Sequence, residues 1–103
     1  MFSRKDAISY SKAFLNACKR LPLKINKAVL FGSTVTTGAK KYSDIDIALF
    51  SDSFGDNILK NLDLIGKVAI QFPDLDIHTF SNRSYTTDSV MIEEIKKTGI
   101  ALL

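Results

Sequence analysis

Residues 28–50 read AVLFGSTVTTGAKKYSDIDIALF, and the rest of the chain is organised around this stretch. It predicts a short apolar strand, a glycine–serine corner, a polar loop and a second strand that opens with two alternating aspartates. Side chains on a strand alternate between its faces, so Asp44 and Asp46 point to one side. Two carboxylates about 7 Å apart along a strand can share divalent cations, and Mg²⁺ prefers oxygen ligands. Gly32 lets the backbone approach a ligand, and Ser33 adds a hydroxyl and an N–H. The stretch therefore predicts a site for a nucleoside triphosphate.

The two aspartates also allow a plainer interpretation. Alternation of Asp with Ile is typical of a half-exposed strand that has one solvated face. However, Asp is depleted in strands, and two carboxylates on one face repel each other unless a cation compensates them. We therefore favour a metal site that contains Asp44 and Asp46.

Gly32-Ser33, followed at this distance by Ser43-Asp44-Ile45-Asp46-Ile47, resembles the signature of a known protein group. The group is the minimal nucleotidyltransferases (MNT) of the DNA polymerase beta-like nucleotidyltransferase superfamily. Its loops commonly read Gly-Ser-Arg-x-x-Gly. This chain has Thr34 in place of the arginine, Thr37 at the second glycine position and Gly38 one place later. The departure concerns the phosphate-binding loop and leaves the aspartate pair intact.

The resemblance implies the cofactors and a further ligand. It implies ATP as the substrate, two Mg²⁺ ions, and a third carboxylate from a strand beside the Asp-x-Asp strand. We assign this carboxylate to Asp76, with Asp74 as the reserve. His78 shares their face but stays outside the set, since a lone histidine on a strand is more often structural. The predicted catalytic and metal-binding residues are Asp44, Asp46 and Asp76, and the predicted nucleotide-binding residues are Gly32, Ser33 and Ser43.

Length and composition set limits on the class of protein. The chain has 103 residues, of which 46% are hydrophobic and 24% charged, so we expect one globular domain over residues 1–103. No apolar run approaches the roughly 20 residues that span a bilayer, so we expect no membrane association. A single cysteine, Cys18, fits a buried thiol in a reducing cytoplasm. A net charge of +3 gives little support for nucleic-acid binding.

Hydrophobic periodicity predicts three helices and four strands. The first helix begins at a capping pattern on Ser3 and ends at Pro22. The last helix is capped by Thr87 or Asp88 and ends at Gly99 in a left-handed conformation. The strands are predicted over residues 27–31, 44–50, 74–80 and 100–103.

The second helix is predicted to start at the capping pattern Ser53-Phe54-Gly55-Asp56 and to run to about residue 70. Its apolar stripe consists of Ile58, Leu59, Leu62, Ile65, Ala69 and Phe72. The whole order predicts an α/β protein with helices packed against a small sheet. The resemblance implies the small nucleotidyltransferase fold, with a mixed sheet of about four strands.

The resemblance also implies a function, in which the acceptor is the open question. Relatives that act on aminoglycosides or nucleic acids carry further domains for the acceptor, so we expect the acceptor here to be a separate molecule. Small MNT proteins resemble the antitoxin halves of toxin–antitoxin pairs, which silence HEPN-type ribonuclease toxins by adenylylating a hydroxyl side chain. We therefore predict a cytoplasmic adenylyltransferase that is an antitoxin and has a HEPN-type toxin as its partner.

Two alternatives remain at this stage. The first is an antitoxin that blocks its partner by contact, with little or no catalysis, which the altered loop at residues 34–38 would permit. The carboxylate trio argues against it, because a disused site has no physical reason to keep acids that repel each other. The second is an adenylyltransferase for a small molecule or RNA, which the lack of an acceptor domain disfavours.

Overall fold

A computed structural model describes residues 2–32, 39–40, 45–87 and 89–103 of the chain. Three of the predicted site residues, Ser33, Ser43 and Asp44, lie outside this set, as do the altered loop positions between residues 34 and 38. No helix among the described residues is both long enough and apolar enough to cross a membrane.

The described residues form three α-helices and a mixed four-stranded sheet, as predicted. In chain order the elements are β1 (Phe2–Ser3), α1 (Arg4–Cys18), β2 (Lys27–Phe31), β3 (Ala39–Lys40), β4 (Ile45–Phe50), α2 (Ile58–Ala69), β5 (Leu75–Phe80), a 3₁₀ helix (Asn82–Thr86), α3 (Val90–Thr98) and β6 (Ile100–Ala101). The main sheet has the order β5-β4-β2-β6, and β1 pairs with β3 separately. β4 and β5 are parallel, whereas β2 is antiparallel to both β4 and β6. A parallel pair needs a crossover connection, and α2 supplies it.

The sheet is covered on both faces because its central strands carry apolar residues at nearly every position. Ile45, Ile47 and Leu49 of β4 pack in a core with side chains of α1 and α2. Ala48 and Phe50, on the opposite face of β4, pack in a second core that includes side chains of α3. Five of the six residues of β4 are therefore buried, and the sixth is an aspartate.

Helix α1 begins as predicted and ends early. The Ser3 side chain accepts a hydrogen bond from the N–H of Asp6 at 3.1 Å, which caps the first turn. The helix ends at Cys18, four residues before Pro22. Cys18 itself is buried, as expected.

The predicted starts of the other two helices are wrong. Asn57, not Ser53, caps α2, and its side-chain oxygen accepts from the N–H three residues on, at 3.1 Å. Ser89 caps α3 in the same way. Thr87 lies before that cap, and Asp88 is outside the described residues. Phe54, which precedes α2, is buried in the core and only 3% exposed. Because the core fixes the position of Phe54, α2 begins only after it.

The apolar stripe predicted on α2 is only partly buried. Ile65 lies in the core, but Ile58 and Leu59 are 65% and 75% exposed. Asn61 is buried in their place. The helix is therefore rotated relative to the orientation that apolar periodicity predicts.

The prediction for Gly99 is wrong in conformation. Its φ is −72° and its ψ is 155°, which is extended and not left-handed. A Cβ at this position would overlap the carbonyl oxygen of Ile95 and the side chain of Val29. Glycine is needed here for space, because α3 turns directly into β6 beside β2.

Candidate functional site

Asp46 and Asp76 face each other on adjacent strands. The parallel register of β4 and β5 pairs these two residues directly, and Asp46 is paired with Phe31 on its other side. Neighbouring strands lie about 4.8 Å apart, so the two carboxylates share one end of the sheet. Asp74, the reserve candidate, precedes β5, and its backbone contacts Tyr10 and Ile45. Of the two candidates for the third carboxylate, Asp76 is the one brought to Asp46.

His78 completes a cluster with these two aspartates. It lies two residues after Asp76 and therefore on the same face of β5. Its Nε2 atom is 3.4 Å from Oδ1 of Asp46 and 3.5 Å from Oδ2 of Asp76. The Phe31 ring contacts the imidazole edge-on, with the ring centroids 5.2 Å apart. Sequence reasoning left this residue out, although its spacing of two from Asp76 was the signal that could have included it.

The surroundings of Asp46 exclude a merely half-exposed strand. Ala48 and Phe50 lie on the same face as Asp46, and both are fully buried. The Asp46 side chain is itself only 21% exposed. A carboxylate in such a position is stabilised only when it has a compensating partner, and His78 is one such partner.

The cluster changes the titration of the histidine. The pKa of His78 is raised above its ordinary value, chiefly by the hydrogen bond to Asp46. Partial burial of the imidazole works in the opposite direction, and the negative charges of Asp76 and Asp46 add to the rise. A protonated imidazole therefore offsets part of the charge of the two carboxylates.

Gly32 lies against this cluster. Its φ is +85°, and it directly follows β2, at whose end Phe31 is paired with Asp46. A Cβ on Gly32 would overlap Oδ2 of Asp46. Gly32, the residue of the predicted Gly32-Ser33 corner that the structure describes, therefore lies directly against the Asp46 carboxylate.

The donor set of the cluster fits a divalent cation. One ligand atom each from Asp46, Asp76 and His78 lie within 4.8 Å of one another. Carboxylate oxygens suit hard cations, and an imidazole nitrogen suits ions of the first transition series. The described residues could thus hold a metal ion at the end of β4 and β5.

An apolar groove of about 350 Å³ opens beside the cluster. It is lined by Ile58, Ile77, His78, Thr79, Phe80 and Met91. His78 belongs to both the groove and the cluster, whereas Asp46 and Asp76 do not line the groove.

The sequence matches one family model over most of its length. The model, described as Polymerase beta, Nucleotidyltransferase, matches residues 14–103. These residues include the whole of the main sheet and the cluster of Asp46, Asp76 and His78. A comparison with curated proteins gives no match.

Three solved structures share the fold. A toxin–antitoxin structure with AMP-PNP is 21% identical, with a TM-score of 0.63, and the match covers 91% of this chain and 72% of that one. A mutant of the toxin–antitoxin MntA-HpeT is 20% identical, with a TM-score of 0.61 and the same coverages. In a structure of a tri-AMPylated Shewanella oneidensis HEPN toxin in complex with MNT antitoxin, the matching chain is 22% identical to this one, with a TM-score of 0.55. The match covers 97% of this chain and 71% of that one.

Proposed function

The chain belongs to the Polymerase beta nucleotidyltransferase family, and from this premise we propose that it transfers AMP from ATP to a hydroxyl side chain of a HEPN-type toxin. In this role it is the antitoxin of the pair. The observation that carries the proposal is the cluster of Asp46, Asp76 and His78, whose Asp46 lies against Gly32, because a donor set that fits a cation then adjoins the predicted nucleotide-binding corner.

The related structures support the choice of substrate and acceptor. One of them contains AMP-PNP, an ATP analogue, and another contains a HEPN toxin that carries three AMP groups beside an MNT antitoxin. These are properties of those proteins, whose sequences are 21% and 22% identical to this one. The shared fold and the family make the same chemistry the best-supported function for this chain.

The two described carboxylates have different surroundings, which suit different roles. The Asp46 side chain is 21% exposed and held between Gly32 and His78, so we assign it to cation binding. The Asp76 side chain is 53% exposed, so it can reach an incoming acceptor as well as the cation. We assign Asp76 as the group that takes the proton from the acceptor hydroxyl.

In the transfer, the acceptor oxygen forms a bond to the α-phosphorus of ATP. The bond between that phosphorus and the oxygen bridging to the β-phosphate breaks, and pyrophosphate leaves with the electron pair. The proton of the acceptor hydroxyl passes to Asp76. Divalent cations, which we take to be two Mg²⁺ ions, would supply charge neutralisation on the triphosphate and activation of the hydroxyl when bound.

The roles of the remaining predicted residues stay predictions. We assign Asp44 to the cations with Asp46, and Ser33 and Ser43 to the nucleotide with Gly32. A backbone that approaches the phosphates closely is consistent with glycine at position 32, where a side chain would instead meet Asp46.

The decisive experiment measures the intact mass of a candidate partner, the product of a neighbouring gene. The two proteins are incubated with ATP and Mg²⁺, and we expect the partner to gain one or more AMP groups. Asp46→Asn should slow this gain at least about a hundredfold, because it removes a cation ligand at the reacting phosphate. Asp63→Asn, which removes an exposed carboxylate of α2 far along the sequence from the cluster, is the matched control and should leave the rate unchanged.

Two outcomes would overturn the proposal. A stable complex without any gain in mass would identify an antitoxin that acts by contact alone. Neither complex nor mass gain would direct the search to small-molecule or RNA acceptors.

A further inference from the structure

We propose that His78 is a third protein ligand of the cation held by Asp46 and Asp76, and that its nitrogen shifts the preference of the site from Mg²⁺ toward Mn²⁺. The inference rests on the metal site of the proposed function, and it requires neither the nucleotide nor the acceptor. It adds a residue that the carboxylate signature of the sequence does not contain.

The geometry of the cluster suits coordination of one ion by three side chains. Donor atoms that bind one ion at about 2.1 Å lie about 3.0 to 3.4 Å apart when they are adjacent in the coordination shell. The distances from His78 Nε2 to the nearest oxygens of Asp46 and Asp76 are 3.4 and 3.5 Å. All three donor atoms lie within 4.8 Å of one another, so side-chain rotations would bring them into one coordination shell.

The imidazole is held in this orientation by its neighbours. The register of the sheet places Ala48 directly beside His78 on β4, and this small side chain leaves room for the ring. The Phe31 ring packs edge-on against the imidazole at an angle of 61°. The ring is thus confined between the sheet and an aromatic side chain, with Nε2 directed at both carboxylates.

Nitrogen changes which ions the site prefers. Mg²⁺ takes oxygen ligands almost exclusively and retains several waters, so it gains little from an imidazole. Affinity of nitrogen-containing sites for first-row ions starts at Mn²⁺ and rises along the series. Mn²⁺ also accepts carboxylate oxygens, so a set of two carboxylates and one imidazole suits it better than it suits Mg²⁺.

A second role for His78 has to be separated from this one. The imidazole could act only by hydrogen bonding to Asp46, which would position that carboxylate for either ion equally. Glutamine can still donate a hydrogen bond to Asp46 but offers no imidazole nitrogen. His78→Gln therefore distinguishes a ligand from a positioning residue.

The experiment uses the purified chain and the metals alone. Binding of Mn²⁺ is followed by its electron paramagnetic resonance signal, and Mg²⁺ affinity is obtained from competition with Mn²⁺. We expect His78→Gln to weaken Mn²⁺ binding about tenfold and Mg²⁺ binding less than about twofold. Asp46→Asn should weaken both ions, because it removes an oxygen ligand. Circular dichroism of each variant without metal verifies that it is folded.

A spectroscopic signature provides the second measurement. Electron spin-echo spectra of bound Mn²⁺ should contain a coupling to an imidazole nitrogen in the wild-type protein, and this coupling should disappear in His78→Gln. Equal weakening of both ions, or a nitrogen coupling that persists in the variant, would overturn the assignment of His78 as a ligand. Either result leaves the proposed AMP transfer standing, whereas the absence of a mass gain on the partner would count against the proposed function and not against this assignment.

Discussion

Two independent constraints meet at Gly32. Its positive φ of 85° is strained for any residue with a side chain, and a Cβ would overlap the carboxylate of Asp46. Here the backbone conformation and the space beside the site both require the same residue.

We therefore expect Gly32→Ala to be destabilising by about 2 kcal/mol and to abolish cation binding, since Asp46 must move to make room. Gly55→Ala is the matched control, because no atom lies within 4 Å of its added Cβ. Urea denaturation followed by circular dichroism measures both variants. Equal stabilities would mean that the loop after β2 relaxes without cost.

Burial makes the Cys18 thiol unreactive. It is 3% exposed, and desolvation raises its pKa to about 11. At pH 8 its thiolate fraction should be roughly a hundredfold lower than that of an ordinary cysteine, because burial raises the pKa from 9.0 to about 11. A disulfide reagent should thus label the native protein at least that much more slowly than the urea-unfolded chain. Rapid labelling of the native protein at pH 8 would contradict the buried position.

The sequence patterns led us to predict Asp46 and Asp76 as site residues but not His78, which lies beside them. The spacing of two between Asp44 and Asp46 is visible in the sequence, and Asp76 was selected because the family resemblance implies a third carboxylate on a neighbouring strand. His78 shares the spacing of two with Asp76, but its proximity to Asp46 depends on the register between β4 and β5. Register is set by long-range pairing, which no local pattern contains.

At the scale of single elements, α2 is the clearest case in which hydrogen bonding outweighs apolar periodicity. The Asn61 amide donates to the Gly55 carbonyl at 2.8 Å and to the Thr79 hydroxyl at 3.0 Å. Its oxygen accepts from the Gly55 N–H at 2.9 Å. These bonds join the helix to the preceding loop and to β5, and they turn Asn61 inward where the sequence predicts leucines.

We expect Asn61→Ala to cost about 2 to 4 kcal/mol, because three hydrogen bonds are lost and their partners are partly buried. Leu59→Ala should change stability by less than about 0.5 kcal/mol, since Leu59 is 75% exposed. Thermal and urea unfolding of the two variants give the comparison. A larger cost for Leu59→Ala would mean that the predicted stripe faces the core after all.

Helix starts were predicted less well than helix cores for a related reason. Serine, aspartate and asparagine recur through residues 51–57, so several positions satisfy the local capping pattern. Burial of Phe54 selects among them, and burial is a tertiary property. The strand at residues 27–31 was predicted well because its apolar run is short and continuous, and the strand at residues 45–50 because Asp46 alternates with apolar residues.

For the molecule as a whole, the sequence predicted the three α-helices and the four strands of the main sheet, but not β1, β3, the 3₁₀ helix or the order of the strands. The order β5-β4-β2-β6 places the last strand next to one of the first. Family resemblance, rather than any local pattern, pointed to a mixed sheet. Pairing across about 70 residues is decided by the cores on the two faces of the sheet, which form only when all the helices are in place.

The pairing of β6 with β2 is the weakest ladder of the main sheet. It joins two residues of each strand, with one further bond from the Leu102 N–H to the Ala28 carbonyl at 2.8 Å. We expect the Leu102 amide to exchange with deuterium much faster than the Ile47 amide, which lies in a strand paired on both sides. Equal protection, measured by nuclear magnetic resonance, would mean that β6 opens only when the whole domain unfolds.

The short β6 also acts as a cover. It pairs with the edge of β2, whose residues 28–31 are wholly apolar. An unpaired apolar strand edge is a template for strand addition by other molecules. The resistance of a concentrated solution to aggregation would then depend on how often the two paired residues of β6 detach from β2, and not on the size of the hydrophobic core. Light scattering that grows at temperatures where circular dichroism still reports a folded protein would reveal this route to aggregation, and constant scattering there would exclude it.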